Sequence, residues 1–332
     1  MTESARARNR SRLADLPEMT KMERVRAAVK GDPVDRVPFC FWHHFKPRAN
    51  PHALARYTVD FFGGFDLDIF KIMPDIPYPF PADSIRRAED WYLLPRTDPY
   101  DSNFGRMIET VEILRDELLD DAPILVTVFS PYTYAARFAG RETIGRHLKE
   151  NPVDVHAGLG VIARNLTLFC EAAIDAGADG IFLAVQGAGD NQLSAGEYAE
   201  FARPYELEVL RGCQGGWLTT LHVHAASGLD IDPFLAYPAP VLSWSDRLTG
   251  ISLRDVRKKA PDRCLMGGIS EQGPIVKGSE KQMEAEMRDA LEQVGGGRRF
   301  ILANGCSVPD DTSEENLKTA RAIVDRLPPT PR

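Results

Sequence analysis

Eight short apolar runs rich in β-branched or aromatic residues recur along the chain, and stretches with helical periodicity separate them. They are Val37–Trp42, Leu67–Met73, Ile124–Phe129, Gly180–Val185, Leu218–Val223, Val241–Trp244, Cys264–Ile269 and Phe300–Ala303. Between them, VDVHAGLGVIARNLTLFCEAAIDAG places apolar residues at intervals of three and four, and SEKQMEAEMRDALEQVGGG ends in glycines that stop a helix. Such alternation calls for parallel strands joined by helical crossovers. Eight units favour a closed (β/α)8 TIM barrel over an open doubly wound sheet. No GxGxxG follows an early strand and no GxxxxGK[ST] occurs, which argues against dinucleotide and P-loop chemistry.

Ahead of the first run, MTKMERVRAAVKG sets Thr20 as an N-cap, Glu23 as its capping-box partner and Gly31 as the terminator. The reading is therefore one barrel over residues 19–332 with an N-terminal helical extension. Residues 1–18 carry Arg6, Arg8, Arg10 and Arg12 among few apolar positions, the composition of a flexible tail. Proline density over residues 75–102 predicts a long loop over the barrel mouth.

Charge narrows the partners. With 40 Lys and Arg against 48 Asp and Glu the net charge is −8, which gives no general attraction to nucleic acid or to an anionic membrane. No run of about 18 apolar residues suggests a membrane span. Five widely spaced cysteines, an odd number, fit a reducing cytoplasmic compartment better than a disulfide framework. A small-molecule substrate is the expected partner, and a homo-oligomer is left open.

Catalytic groups of such a barrel come from the carboxyl ends of its strands. There stand His43 and His44, Asp75, Ser130 and Tyr132, Gln186, His222 and His224, Asp246, Ser270 and Glu271, and Asn304 with Cys306. Asp75 and Asp246 are candidate proton carriers; His43, Tyr132 and Gln186 are candidate substrate-binding residues. The sharpest element is TTLHVHAAS, because residues two apart on a strand share a side and His222 and His224 then project together. Cys306 follows the eighth run, and a barrel of eight strands is narrow enough for side chains to meet across it. Two nitrogens and a sulfur suit zinc with one position left for substrate or water. Spacing alone leaves open whether the imidazoles are ligands or hydrogen-bonded core residues.

Four segments, MERVRAAVKGDPVDRVPFCFW, LSAGEYAEFARPY, LMGGIS and ILANGCSVPDDTSEENLKTAR, together resemble the uroporphyrinogen decarboxylase superfamily over roughly residues 20 to 328. The resemblance implies a (β/α)8 barrel, and the superfamily also contains zinc-dependent, corrinoid-linked methyltransferases. From the decarboxylase it implies an arginine motif in PFCFWHHFKPRAN, but His43 stands at the first arginine's place and Pro47 near the second. The aspartate beside the pyrrole nitrogens falls on Asp75, and the late histidine falls where this chain has Cys306. From the methyltransferase branch it implies a His-x-Cys pair and a later Cys as zinc ligands, falling on His222, His224 and Cys306 with His in place of Cys at 224. The functional expectation is a zinc-dependent methyltransferase activating a thiol or other soft nucleophile, with a corrinoid as methyl donor or acceptor and a corrinoid protein as partner. The alternatives are a decarboxylase of a tetrapyrrole or smaller carboxylic acid using Asp75, and a corrinoid- or tetrapyrrole-binding protein.

Overall fold

The computed structural model describes residues 18–45, 50–189 and 192–327. The tail expected over residues 1–18 lies outside them apart from Glu18, and so does Pro47. Each apolar run supplies one strand: β1 Phe39–Cys40, β2 Phe70–Ile72, β3 Ile124–Phe129, β4 Gly180–Val185, β5 Thr220–Val223, β6 Val241–Trp244, β7 Cys264–Ile269 and β8 Phe300–Asn304. Every ladder among the described residues is parallel, and the order is β1-β8-β7-β6-β5-β4-β3-β2. This is a curled α/β sheet of TIM-like form, with helices between successive strands.

Where β1 and β2 face one another, a side chain takes over from the ladder. Asp68 N–H donates to Phe39 O at 2.9 Å, and Phe39 N–H donates to the Asp68 carboxylate at 2.8 Å. That carboxylate is fully buried and receives Arg24 Nη1 at 2.7 Å and Arg36 Nη1 at 2.5 Å. A buried carboxylate persists only with such partners, so the seam depends on both arginines.

Arg24 belongs to the helix Lys21–Lys30, which has the expected ends: Thr20 and Glu23 form a capping box and Gly31 closes it at φ 85°. The helix lies across the amino-terminal ends of the strands. Met22 N–H donates to Asp121 O, Lys21 Nζ donates to Leu67 O at 2.9 Å, and Arg26 stacks 4.5 Å from the Trp217 ring centre. Those partners precede β3, β2 and β5. The opposite end, where the carboxyl termini of the strands converge, is left for chemistry.

Two sequence expectations change in detail. The segment expected as a long loop over the mouth is anchored to outer helices by its aromatic residues. Tyr78 packs against Phe104, Tyr134 and Phe138, while the fully buried Trp91 donates Nε1–H to His147 Nδ1 at 3.1 Å. The helix Pro152–Asp175 is long and apolar enough to cross a membrane, yet 56% of its most apolar window is buried within the protein, so that apolarity serves the core.

Candidate metal centre

His222 lies on β5 between Leu221 and Val223, and strand alternation turns it to the opposite side from those two apolar neighbours. Its ring stacks on Phe182 of β4 with centroids 5.0 Å apart, and its Nδ1 lies 3.2 Å from Ser243 Oγ of β6. A ligating imidazole is commonly fixed in this way, with the second ring nitrogen left for the metal. His224 follows the strand end, where its N–H donates to Val185 O at 2.9 Å and continues the strand direction. The two rings then share a side, with centroids 6.1 Å apart.

Cys306 reaches the same place from the other side of the barrel. Asn304 Nδ2 donates to the carbonyls of Trp42 and Cys306, Gly305 N–H donates to Ile269 O, and Val308 N–H donates to Trp42 O. The loop after β8 is thereby tied to both neighbouring strand ends. Cys306 Sγ ends 3.5 Å from His224 Nδ1. Among the described residues, one potential ligand atom each of His222, His224 and Cys306 lies within 4.8 Å of the others.

The electrostatics suit ligation. Burial pushes the His222 pKa well below its ordinary value, and the neighbouring His224 and Lys71 charges push it the same way. The imidazole is therefore neutral, the form that binds metal. Burial raises the Cys306 pKa and nearby Glu271 adds to the rise, while Lys71 opposes it. A divalent ion held here would reverse that balance, since a coordinating thiol is deprotonated outright. Two imidazole nitrogens and one thiol at this spacing fit zinc by donor chemistry.

The three side chains line a cavity of about 170 Å³ together with Trp42, His44, Lys71, Thr127, Arg137, Phe182 and Gln186. Gln186, at the end of β4, is one of the lining residues. Lys71 is not anticipated there, although a cation inside the apolar run Leu67–Met73 is a signal in itself. It is fully buried on β2, and its Nζ donates to Thr127 Oγ1 at 2.6 Å.

The remaining expected residues do not line this cavity. His44 rather than His43 lines the cavity, at its rim: the ring is half exposed, borders the adjoining groove as well, and has Asp75 Oδ1 2.8 Å from its Nδ1. His43 packs instead against Phe45 and Phe61 in an adjoining aromatic groove. Asp75 also accepts the Phe45 N–H at 2.7 Å, so both its oxygens hold the β1 loop. Tyr132 lines a neighbouring groove of about 600 Å³ that shares Arg137 and Gln186 with the cavity. Asp246 accepts from Gly268 N–H at 2.9 Å and pairs with Arg247; burial pushes its carboxyl up to about 6.

A family model described as uroporphyrinogen decarboxylase (URO-D) matches residues 64–327. The chain belongs to the uroporphyrinogen decarboxylase family. Relatives of this family member carry two kinds of name. It is 22% identical over 352 residues to the methylcobamide:CoM methyltransferase MtaA of Methanosarcina barkeri, covering 93% of this chain and 99% of the relative. It is 26% identical over 269 residues to the uroporphyrinogen decarboxylase of Chromohalobacter salexigens, covering 74% of this chain and 70% of the relative. Among solved structures, a methyltransferase from Methanosarcina mazei superposes with a TM-score of 0.77 at 19% identity, over 93% of this chain and 99% of that one. A B12-independent methionine synthase from a Shewanella species gives a TM-score of 0.58 at 12% identity, over 87% and 92%. These likenesses show the fold of this uroporphyrinogen decarboxylase family member.

Proposed function

We propose that this family member is a zinc-dependent methyltransferase, built as one (β/α)8 barrel over residues 19–332, that makes a thiol or other soft nucleophile reactive toward a methyl group. The convergence of His222, His224 and Cys306 within 4.8 Å carries the reading. A zinc ion held by these three would lower the pKa of a bound thiol, making its anion available at neutral pH. His224 as a neutral ligand leaves such a centre more positive than a second thiolate would, which strengthens that effect. The likeness to a methylcobamide:CoM methyltransferase supports a corrinoid as methyl donor or acceptor. In the transfer, the new sulfur–carbon bond forms as the donor–carbon bond breaks, and the bonding electrons stay with the donor.

The chain's own groups serve the nucleophile. His44, positioned by Asp75 at the cavity wall, is the group we assign to carry the thiol proton outward. Trp42, Phe182 and Met73 keep the cavity apolar and exclude water from the anion. Decarboxylation through Asp75 is the second reading, and the relatives named decarboxylases favour it. Against it, Asp75 is already engaged by His44 and by Phe45 N–H.

Proton balance separates the two. Binding of the neutral thiol 2-mercaptoethanol to the zinc-loaded protein releases about one proton near pH 7, because a free thiol titrates near ~8.5 and a coordinated one is ionised. Calorimetry in buffers of different ionisation enthalpy reads this release. It should vanish in His222→Ala and survive in Asp75→Ala; binding without proton release removes the support for a thiolate mechanism.

A further inference from the structure

Lys71 is a buried amine with no carboxylate of the described residues at ion-pair distance. Its Nζ donates to Thr127 Oγ1 at 2.6 Å, reaches Met73 Sδ at 3.4 Å, and lies 4.1 Å and 4.9 Å from the ring centres of Phe182 and Trp42. No carboxylate of the described residues stands within 4.0 Å of it. An ammonium has three donors, so at least one is left for something that enters the cavity. Thr127 Oγ1 accepts from Lys71, which frees its own O–H as a second donor beside the first.

Phe182 ties this group to the candidate metal centre. One ring carries Lys71 Nζ at 4.1 Å and stacks on His222 at 5.0 Å, so Lys71 is no further than about 9 Å from the His222 ring. A cavity of about 170 Å³ between them holds only a compact molecule.

We propose that Lys71, with Thr127, binds the carboxylate of a short thiol acid whose sulfur sits at His222, His224 and Cys306. This rests on the metal reading for the sulfur end alone. Paired N–H and O–H donors match the two oxygens of a carboxylate, and the Phe182 and Trp42 rings flank the ammonium that would supply one of them. Burial also pushes the Lys71 pKa down to about 7, so a bound anion would hold the amine in its charged form. Arg137 is the competing cation of the cavity wall, but it is exposed and stacked 3.8 Å from the Phe129 ring centre, at the junction with the outer groove.

The test compares 3-mercaptopropionate, 2-mercaptoethanol and propionate on zinc-loaded wild type, Lys71→Met and Arg137→Met, with zinc content measured for each. Wild type should bind 3-mercaptopropionate about tenfold or more tightly than 2-mercaptoethanol. Lys71→Met should lose that preference while keeping its zinc and its affinity for 2-mercaptoethanol, and Arg137→Met should keep the preference. Propionate has no thiol and reads the anion site alone. Its binding should be lost in Lys71→Met even in protein that holds no zinc, which separates failure of this proposal from failure of the metal reading. A preference that survives in Lys71→Met, or disappears in Arg137→Met, overturns it.

Discussion

Cys306 Sγ stands 3.5 Å from His224 Nδ1 although 82 residues separate them along the chain. Their strands are not neighbours: β6 and β7 lie between β5 and β8 in the sheet. The two meet only because the sheet curls and both strand ends open on its inner side.

That meeting fixes the first expectation. Protein purified under zinc-replete conditions should carry about one zinc per chain, and His222→Ala, His224→Ala or Cys306→Ala should each lose most of it, because two ligands hold the ion poorly against water. His224→Cys should keep it. Elemental analysis decides the matter, and metal-free wild type would sink the assignment.

Uroporphyrinogen should not be converted to coproporphyrinogen. The cavity of about 170 Å³ is below the roughly 300–1,000 Å³ of pockets that enclose drug-sized ligands, and His43 stands where the resemblance implies a carboxylate-gripping arginine. Each lost bidentate contact removes about 1.5–3 kcal/mol of charge-assisted bonding. Chromatography of the products after anaerobic incubation provides the check, and efficient turnover would contradict it.

Glu206 should make stability fall as pH rises from about 4.5 to 7, against the opposite slope contributed by His222 and His147, whose pKa values burial lowers. Glu206 is fully buried, accepts from Tyr198 and Tyr237, and is pushed up to about 7 by burial despite those bonds. Over that window the folded state keeps a proton that the unfolded state has released, so the unfolded state binds fewer protons and rising pH favours it. The contribution is at most about 3 kcal/mol. Asp246 and Glu286 are raised by burial too and add slope of the same sign. Denaturant midpoints measured across this range should fall less, or rise more, with pH in Glu206→Gln than in wild type; an unchanged slope would rule Glu206 out as a contributor.

Gly158→Ala should lower Tm. A Cβ built at this position of the helix Pro152–Asp175 would stand 2.4 Å from Cε3 of Trp91, a fully buried ring tethered to His147. Overpacking of this kind costs about 1–3 kcal/mol. Gly160→Ala on the same helix, where nothing lies within 4 Å, is the control and should be neutral or slightly stabilising. Equal Tm values for the two variants would count against the packing argument.

Much of this architecture is legible in the chain. The eight runs give the eight strands, with β3, β4, β6 and β7 matching to the residue, because a strand buried on both faces shows as a continuous apolar stretch. The fit is worst at β1, only Phe39–Cys40 within Val37–Trp42, where Asp68 substitutes for part of a ladder and no local pattern records it. His222 and His224 are legible as a pair because strand period fixes their common side.

Local sequence could not decide which of His43 and His44 borders the cavity, since His44 is held there by a bond to Asp75, 31 residues away. It could not show that Asp246 is taken up by Gly268 N–H and Arg247, away from the cavity lining. Nor could it place Lys71 beside the histidines, although its charge within an apolar run marks it as unusual.

The sequence by itself therefore determined the elements, their order and the residue types able to hold a metal. Periodicity and capping are local properties, written within a few residues of where they act. Only the tertiary structure decided which of those residues share a cavity, how each carboxylate is occupied, and that a lysine faces Trp42 and Phe182 without an acid beside it. Distances across a curled sheet follow from the closure of all its strands together, and burial sets the charge of each group that closure brings inside.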